Sequence, residues 1–211
     1  MDIGSYKVGA TSPATLNRSD SLGPIFGVIP RRLIKTSPAV FDRADWVRNV
    51  VEFEIAFQMA EDVPPRRNAC TTEKVLDRTR SARVSIEIED PHIEKPFSQP
   101  TETLHVGNGA AGGCVIGPDI PDWRGQELKL IAMTAQANDG AKANTIGLNK
   151  RPDAIEVLHW TANACMNSGP GLKAGDCVST GAIVAPIVLG SQSHWCAEFV
   201  RVGEVSVRFA S

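Results

Sequence analysis

The sequence predicts an α+β domain that is mainly β, an antiparallel or mixed sheet with one longer helix late in the chain. Two observations carry this. Val51-Glu52-Phe53-Glu54-Ile55-Ala56-Phe57-Gln58-Met59 and Val84-Ser85-Ile86-Glu87-Ile88-Glu89 alternate with period two, as half-buried strands do. Ile155, Leu158, Ala162, Cys165 and Met166 instead fall at helical spacing, with Pro152 near the start and Gly169 past the end. Strands dominate and no internal repeat is visible, a pattern that suits an α+β arrangement.

Residues 1–45 are rich in Gly, Ser and Pro and read as loops with short strands. Thr72 is placed to cap a short helix through Val75, Leu76 and Arg80, which leads into the second alternating segment. Pro91, Pro96 and Pro100 mark an irregular connection, and Pro118 and Pro121 another. After the late helix, Leu172-Lys173-Ala174-Gly175-Asp176 reads as a turn and Cys177 opens an apolar strand. Gly190-Ser191-Gln192-Ser193-His194 reads as a surface turn, and Val205-Ser206-Val207-Arg208-Phe209 closes the chain with a further alternating strand.

The 211 residues fit a single domain, 1–211, and folding should bury about 70% of the unfolded surface. A net charge of −2, with no basic run, gives no electrostatic case for a nucleic-acid partner. The start of the chain lacks an apolar signal-peptide region. The longest apolar run, Ala182 to Leu189, is interrupted by Pro186, so no membrane span is expected. Five dispersed cysteines (Cys70, Cys114, Cys165, Cys177, Cys196) without a C-x-x-C read as reduced thiols of a cytoplasmic protein. The Asn17-Arg18-Ser19 sequon is then accidental.

The alternation throws Glu52 and Glu54 to one face, with Cα atoms about 6.5 Å apart. Carboxylates without His or Cys beside them suit a hard cation, Mg²⁺ or Mn²⁺. The same pattern also fits solvated glutamates on the open face of an antiparallel strand. Gly107-Asn108-Gly109-Ala110-Ala111-Gly112 spells G-x-G-x-x-G, but neither a buried strand before it nor a helix after it supports dinucleotide binding. It reads as close-packed backbone. The four histidines have no metal-ligand spacing, and His159 reads as structural. No G-x-S-x-G elbow is present. Lys7 sits among small residues in Gly4-Ser5-Tyr6-Lys7-Val8-Gly9-Ala10, where burial or a nearby cation would make it an acid or base. Its plainer reading is a solvated lysine near the terminus.

Taken in order, these segments resemble the 2-keto-4-pentenoate hydratase group of the fumarylacetoacetate hydrolase superfamily. Tyr6-Lys7-Val8-Gly9-Ala10-Thr11-Ser12 and Gly23-Pro24-Ile25-Phe26-Gly27 are similar to its lysine segment, Glu52-Phe53-Glu54 to its E-x-E strand, and Ser85-Ile86-Glu87-Ile88 to the strand with the third carboxylate. Asn108-Gly109-Ala110, Ile116-Gly117-Pro118, Gly171 to Gly181 and Gly203 to Phe209 follow in family order, so the likeness covers nearly the whole chain.

The resemblance implies a mixed β-sheet roll of the fumarylacetoacetate hydrolase C-terminal type. Glu52, Glu54 and Glu87 would hold one Mg²⁺ or Mn²⁺, Lys7 would transfer protons with its pKa lowered by the metal, and Thr180 would lie on a substrate-side loop. The substrate would be a small 2-hydroxydienoic or 2-oxo acid from aromatic meta-cleavage catabolism, the assembly a homo-oligomer, and a pathway decarboxylase a possible partner. Against the family pattern the usual N-terminal helical segment is absent, Ile25 and Gly107 stand where acids are usual, and Asp90-Pro91-His92 replaces D-S-R. Related decarboxylase or acylpyruvate hydrolase chemistry, or a truncated and impaired homologue keeping the fold, are the alternatives.

Overall fold

A computed structural model describes residues 2–16, 23–65, 68–91, 103, 107–168, 171–190 and 193–210. Two mixed sheets dominate. The larger is built from β1 (Ile3–Gly9), β2 (Ile25–Pro30), β3 (Ile34–Thr36), β5 (Val50–Met59), β6 (Thr79–Glu89), β7 (Ala111–Asp119), β10 (Cys177–Ala182) and the two-residue β11 (Ile187–Val188). Its strand order is β2-β1-β10-β5-β6-β7-β3, with β11 paired to β5. The smaller sheet runs β4 (Ala39–Asp42), β13 (Gly203–Ala210), β12 (His194–Phe199), β8 (Met133–Ala137), β9 (Lys142–Asn144). Pairs β1–β10, β3–β7 and β4–β13 are parallel and the other pairings antiparallel, which bears out the mixed-sheet α+β expectation.

The predicted alternation of β5 and β6 holds, but its outcome differs from a half-solvated strand. Val51, Phe53, Ile55 and Phe57 enter the main core with Val84, Ile86 and Ile88, where Trp195, Phe199, Val205 and Val207 of the smaller sheet meet them. The opposite face is covered as well. There Ala56, Cys114, Ile116, Cys177 and Ile29 form a second, smaller cluster, and β2 comes against β7, so the large sheet curls back on itself. The glutamates on that face are therefore enclosed rather than solvated.

Three α-helices with described bounds, and several short 3₁₀ turns, join the strands: α1 (Pro13–Leu16), α2 (Thr72–Asp77) and α3 (Ala154–Ser168). Thr71, not Thr72, caps α2: its hydroxyl accepts from Lys74 N at 3.4 Å, and Arg80 already belongs to β6. Helix α3 matches its predicted stripe, with Leu158, Ala162, Cys165 and Met166 buried. Asp153 accepts from the Ile155 and Glu156 amides and starts it. His159 is structural, its Nε2 2.7 Å from the Cys70 carbonyl oxygen. All five cysteines are free, four of them buried. His194 opens β12 rather than sitting in a turn. No helix of the described residues is long and apolar enough to cross a membrane. Pro96, Pro100, Gly169 and the Asn17–Ser19 sequon lie outside the described residues.

Candidate metal centre

Strand register brings the acidic side chains together. Glu52 faces Glu87 directly across β5 and β6, and Glu54 lies one step along the same face, opposite Ser85. Carboxylate oxygens of Glu52, Glu54 and Glu87 all fall within 4.8 Å of one another, and all three residues are buried. Like charges placed opposite each other on a ladder destabilise it unless something compensates. Glu54 is oriented from behind: the Gly181 N–H donates to its Oε2 at 2.9 Å. Gly181 has φ +102, and an added Cβ would meet Thr11 Oγ1 at 2.0 Å, so the amide is presented there at the cost of any side chain.

Lys7 enters from β1, whose alternation sends Tyr6 and Val8 to the main core and Ser5 and Lys7 to the inner face. It is 2% exposed, so the solvated-lysine reading is set aside. Its Nζ lies 3.0 Å from Glu87 Oε1 and donates to Glu89 Oε1 at 2.6 Å. Glu89 is a fourth inward carboxylate that the sequence reading passed over. Its signal was present all along, since it stands two residues beyond Glu87 on the same strand face.

One ammonium thus faces four carboxylates in a dry environment. Burial pushes Glu87 up to about 7 and drives Glu52 and Glu54 well above the usual carboxylate range, with neighbouring carboxylates adding to the effect. Burial alone would lower Lys7, but Glu87, Glu89 and Glu52 outweigh it and hold its pKa well above the ordinary lysine value. Glu54 Oε1 and Glu87 Oε2 are buried without a hydrogen-bond partner, and Glu87 Oε1 has the Lys7 ammonium beside it. Orphaned, clustered oxygen donors of this kind fit a hard divalent cation, the donor type that Mg²⁺ and Mn²⁺ take.

A pH dependence follows. Carboxyls with a raised folded-state pKa contribute stability below the unfolded carboxylate range, and that stability is lost as pH rises through the folded value. Ion-free protein is expected to lose on the order of 3 kcal/mol between pH 4.5 and pH 8 through Glu87. Divalent-ion affinity should rise over the same window as protons leave. Thermal melts and calorimetry at stepped pH measure both, and a flat ion affinity from pH 5 to 8 contradicts it.

The remaining expected residues separate. Thr180 lies in β10 beside the cluster, 1% exposed, its hydroxyl donating to the Ile55 carbonyl at 2.8 Å. Ile25 is buried at the start of β2, paired with Gly9, while Gly107 is exposed. His92 lies outside the described residues. In the G-x-G-x-x-G segment, a Cβ on Gly112 would meet the Ile88 carbonyl at 2.6 Å and Trp46 at 2.7 Å, so the glycine serves close packing. A cavity of about 670 Å³ lined by Arg32, Lys35, Asp45, Trp46, Asp90 and Asn108, among others, has neither the triad nor Lys7 in its wall.

No family model matches the chain. Among curated proteins, the 2-keto-4-pentenoate hydratase of Paraburkholderia phymatum is 24% identical over 204 residues, 97% of this chain and 77% of that protein. The 2-hydroxyhexa-2,4-dienoate hydratase of Comamonas testosteroni is 26% identical over 205 residues, 96% and 76% of the two chains. Among solved structures, 4-oxalocrotonate decarboxylase from Pseudomonas putida G7, complexed with magnesium and adipate, superposes with a TM-score of 0.83 at 19% identity, over 99% of this chain and 78% of that one. Along nearly its whole length the chain is thus similar to curated 2-keto-4-pentenoate and 2-hydroxyhexa-2,4-dienoate hydratases, and its fold is that of the solved decarboxylase.

Proposed function

We propose that the protein is a divalent-metal-dependent hydratase. It would add water to a 2-hydroxy-2,4-dienoate of the 2-keto-4-pentenoate type and yield a 4-hydroxy-2-oxo acid. The observation that carries this reading is the buried Glu52–Glu54–Glu87 triad with the Lys7 ammonium against Glu87. The hydratase names of relatives matched along 97% and 96% of the chain support this substrate class.

Glu52, Glu54 and Glu87 would hold Mg²⁺ or Mn²⁺. When bound, such an ion supplies Lewis acidity toward a carboxylate and an adjacent oxygen. The chain's own residues would do the rest. The Gly181 amide fixes Glu54. Lys7 would carry a proton at Nζ to or from substrate carbon as the dienol becomes the 2-oxo-enoate that water attacks. Burial of the cluster keeps bulk water from competing for that proton. The Thr180 hydroxyl is engaged with Ile55, so its place on the substrate side would act through the position of β10.

The test is to incubate purified protein with Mg²⁺ or Mn²⁺ and 2-hydroxypenta-2,4-dienoate, following loss of the dienol absorbance and identifying the product. Appearance of a 4-hydroxy-2-oxo acid is expected. A second arm offers the dicarboxylate 4-oxalocrotonate: release of CO₂ from it would move the protein to a decarboxylase of the same fold, and no turnover of either substrate or of several other dienoates with either ion would overturn both enzymatic readings.

A further inference from the structure

Four carboxylates crowd one lysine, but only three of them make the ion pocket. Glu89 lies outside the triad whose carboxylate oxygens fall within 4.8 Å of one another. It is nonetheless enclosed, 7% exposed, and its Oε1 makes the shorter of the two contacts of Lys7: 2.6 Å against 3.0 Å to Glu87. Glu87 is thus asked to serve two cations, the ammonium and whatever fills the triad. Two positive charges at one carboxylate repel strongly in a dry site, where they are poorly screened.

We propose that Glu89 is a positioning residue that draws the Lys7 ammonium toward the end of β6 and so leaves Glu87 free to complete the triad's ion site. This rests on the metal reading given above and deepens it. Strand geometry supports the assignment. Glu87 and Glu89 project from one face of β6 at a two-residue spacing, and Lys7 arrives from β1 across the curled sheet between them. Without Glu89, the ammonium keeps Glu87 as its one close carboxylate and competes with the divalent ion for it. With Glu89, the lysine is held by a partner that the ion does not use.

Calorimetric Mn²⁺ binding to the full, substrate-free chain tests this without reference to turnover. Thermal melts verify that each variant is folded. Glu89→Ala and Glu89→Asp are both expected to weaken Mn²⁺ binding by about tenfold, the lower end for partners that orient metal ligands. Aspartate keeps the charge but withdraws it from the lysine, so an Asp variant that binds as tightly as the unsubstituted chain would show a bare charge effect and overturn the proposal. Unchanged binding in Glu89→Ala would overturn it too. A cycle with Lys7→Gln adds an independent measure. Positioning requires the Glu89→Ala effect to shrink once the ammonium is gone, and an undiminished effect refutes it. No Mn²⁺ binding by the unsubstituted chain is a different failure, which removes the triad reading and this inference with it.

Discussion

Glu54→Ala is expected to weaken divalent-ion binding by on the order of a hundredfold or more while the protein stays folded. Glu54 is completely buried, donates one oxygen to the triad's centre and has the other fixed by the Gly181 amide. No other described residue offers a carboxylate oxygen to take its place within the cluster. Stability should respond in the opposite sense to affinity. In ion-free protein Glu54 is a liability, because burial and the nearby Glu87 and Glu52 disfavour its charged form. Removing it relieves that strain but strands the Gly181 N–H, a loss of about 1–3 kcal/mol that offsets much of the gain. Glu54→Gln keeps an acceptor for Gly181 and should be the more stable variant, with ion binding equally lost. Calorimetry with Mg²⁺ and Mn²⁺, paired with melts with and without ion, reads both effects. Ion affinity unchanged in either variant would remove Glu54 from the site.

The strand elements of this centre were legible because alternation is a local property. Val51 to Met59 and Val84 to Glu89 revealed which residues share a face, and the observed register joins those faces as glutamate opposite glutamate. What local pattern does not encode is how a face is covered. A polar strand face normally meets water, and only the curl that brings β2 against β7 encloses this one. Lys7 illustrates the same limit. Its neighbours suggested a loose terminus, whereas pairing of β1 with both β2 and β10 makes it an internal strand and Lys7 a buried residue. The face of Glu89 is readable from its spacing to Glu87, but its pairing with Lys7 depends on that long-range arrival of β1. The displaced cap at Thr71 is a smaller matter, since adjacent threonines are chemically equal and backbone geometry alone chooses between them.

Lys7→Met is the second change expected to act strongly, and on two separable properties. The Lys7 ammonium is the close counter-ion of both Glu87 and Glu89, and all three groups are enclosed. Breaking a buried pair by removing one partner typically costs about 3–5 kcal/mol, because the remaining charge is left without compensation. Ion-free Lys7→Met should therefore unfold at clearly lower denaturant than the parent at pH 8. The difference should narrow toward pH 5, where Glu87 can take up a proton. Adding Mg²⁺ or Mn²⁺ should restore much of the lost stability, since binding to the folded state alone stabilises it and brings positive charge back to the triad. Turnover should not return with it. If Lys7 moves the proton, its loss costs about 10²–10⁴ in rate even when the ion is bound and the fold recovered. Denaturant titration with and without ion, set beside the rate on 2-hydroxypenta-2,4-dienoate, separates the two roles. Full activity in the ion-restored variant would leave Lys7 as a structural counter-ion, whereas unchanged ion-free stability would mean that its contacts with Glu87 and Glu89 do not hold the fold together.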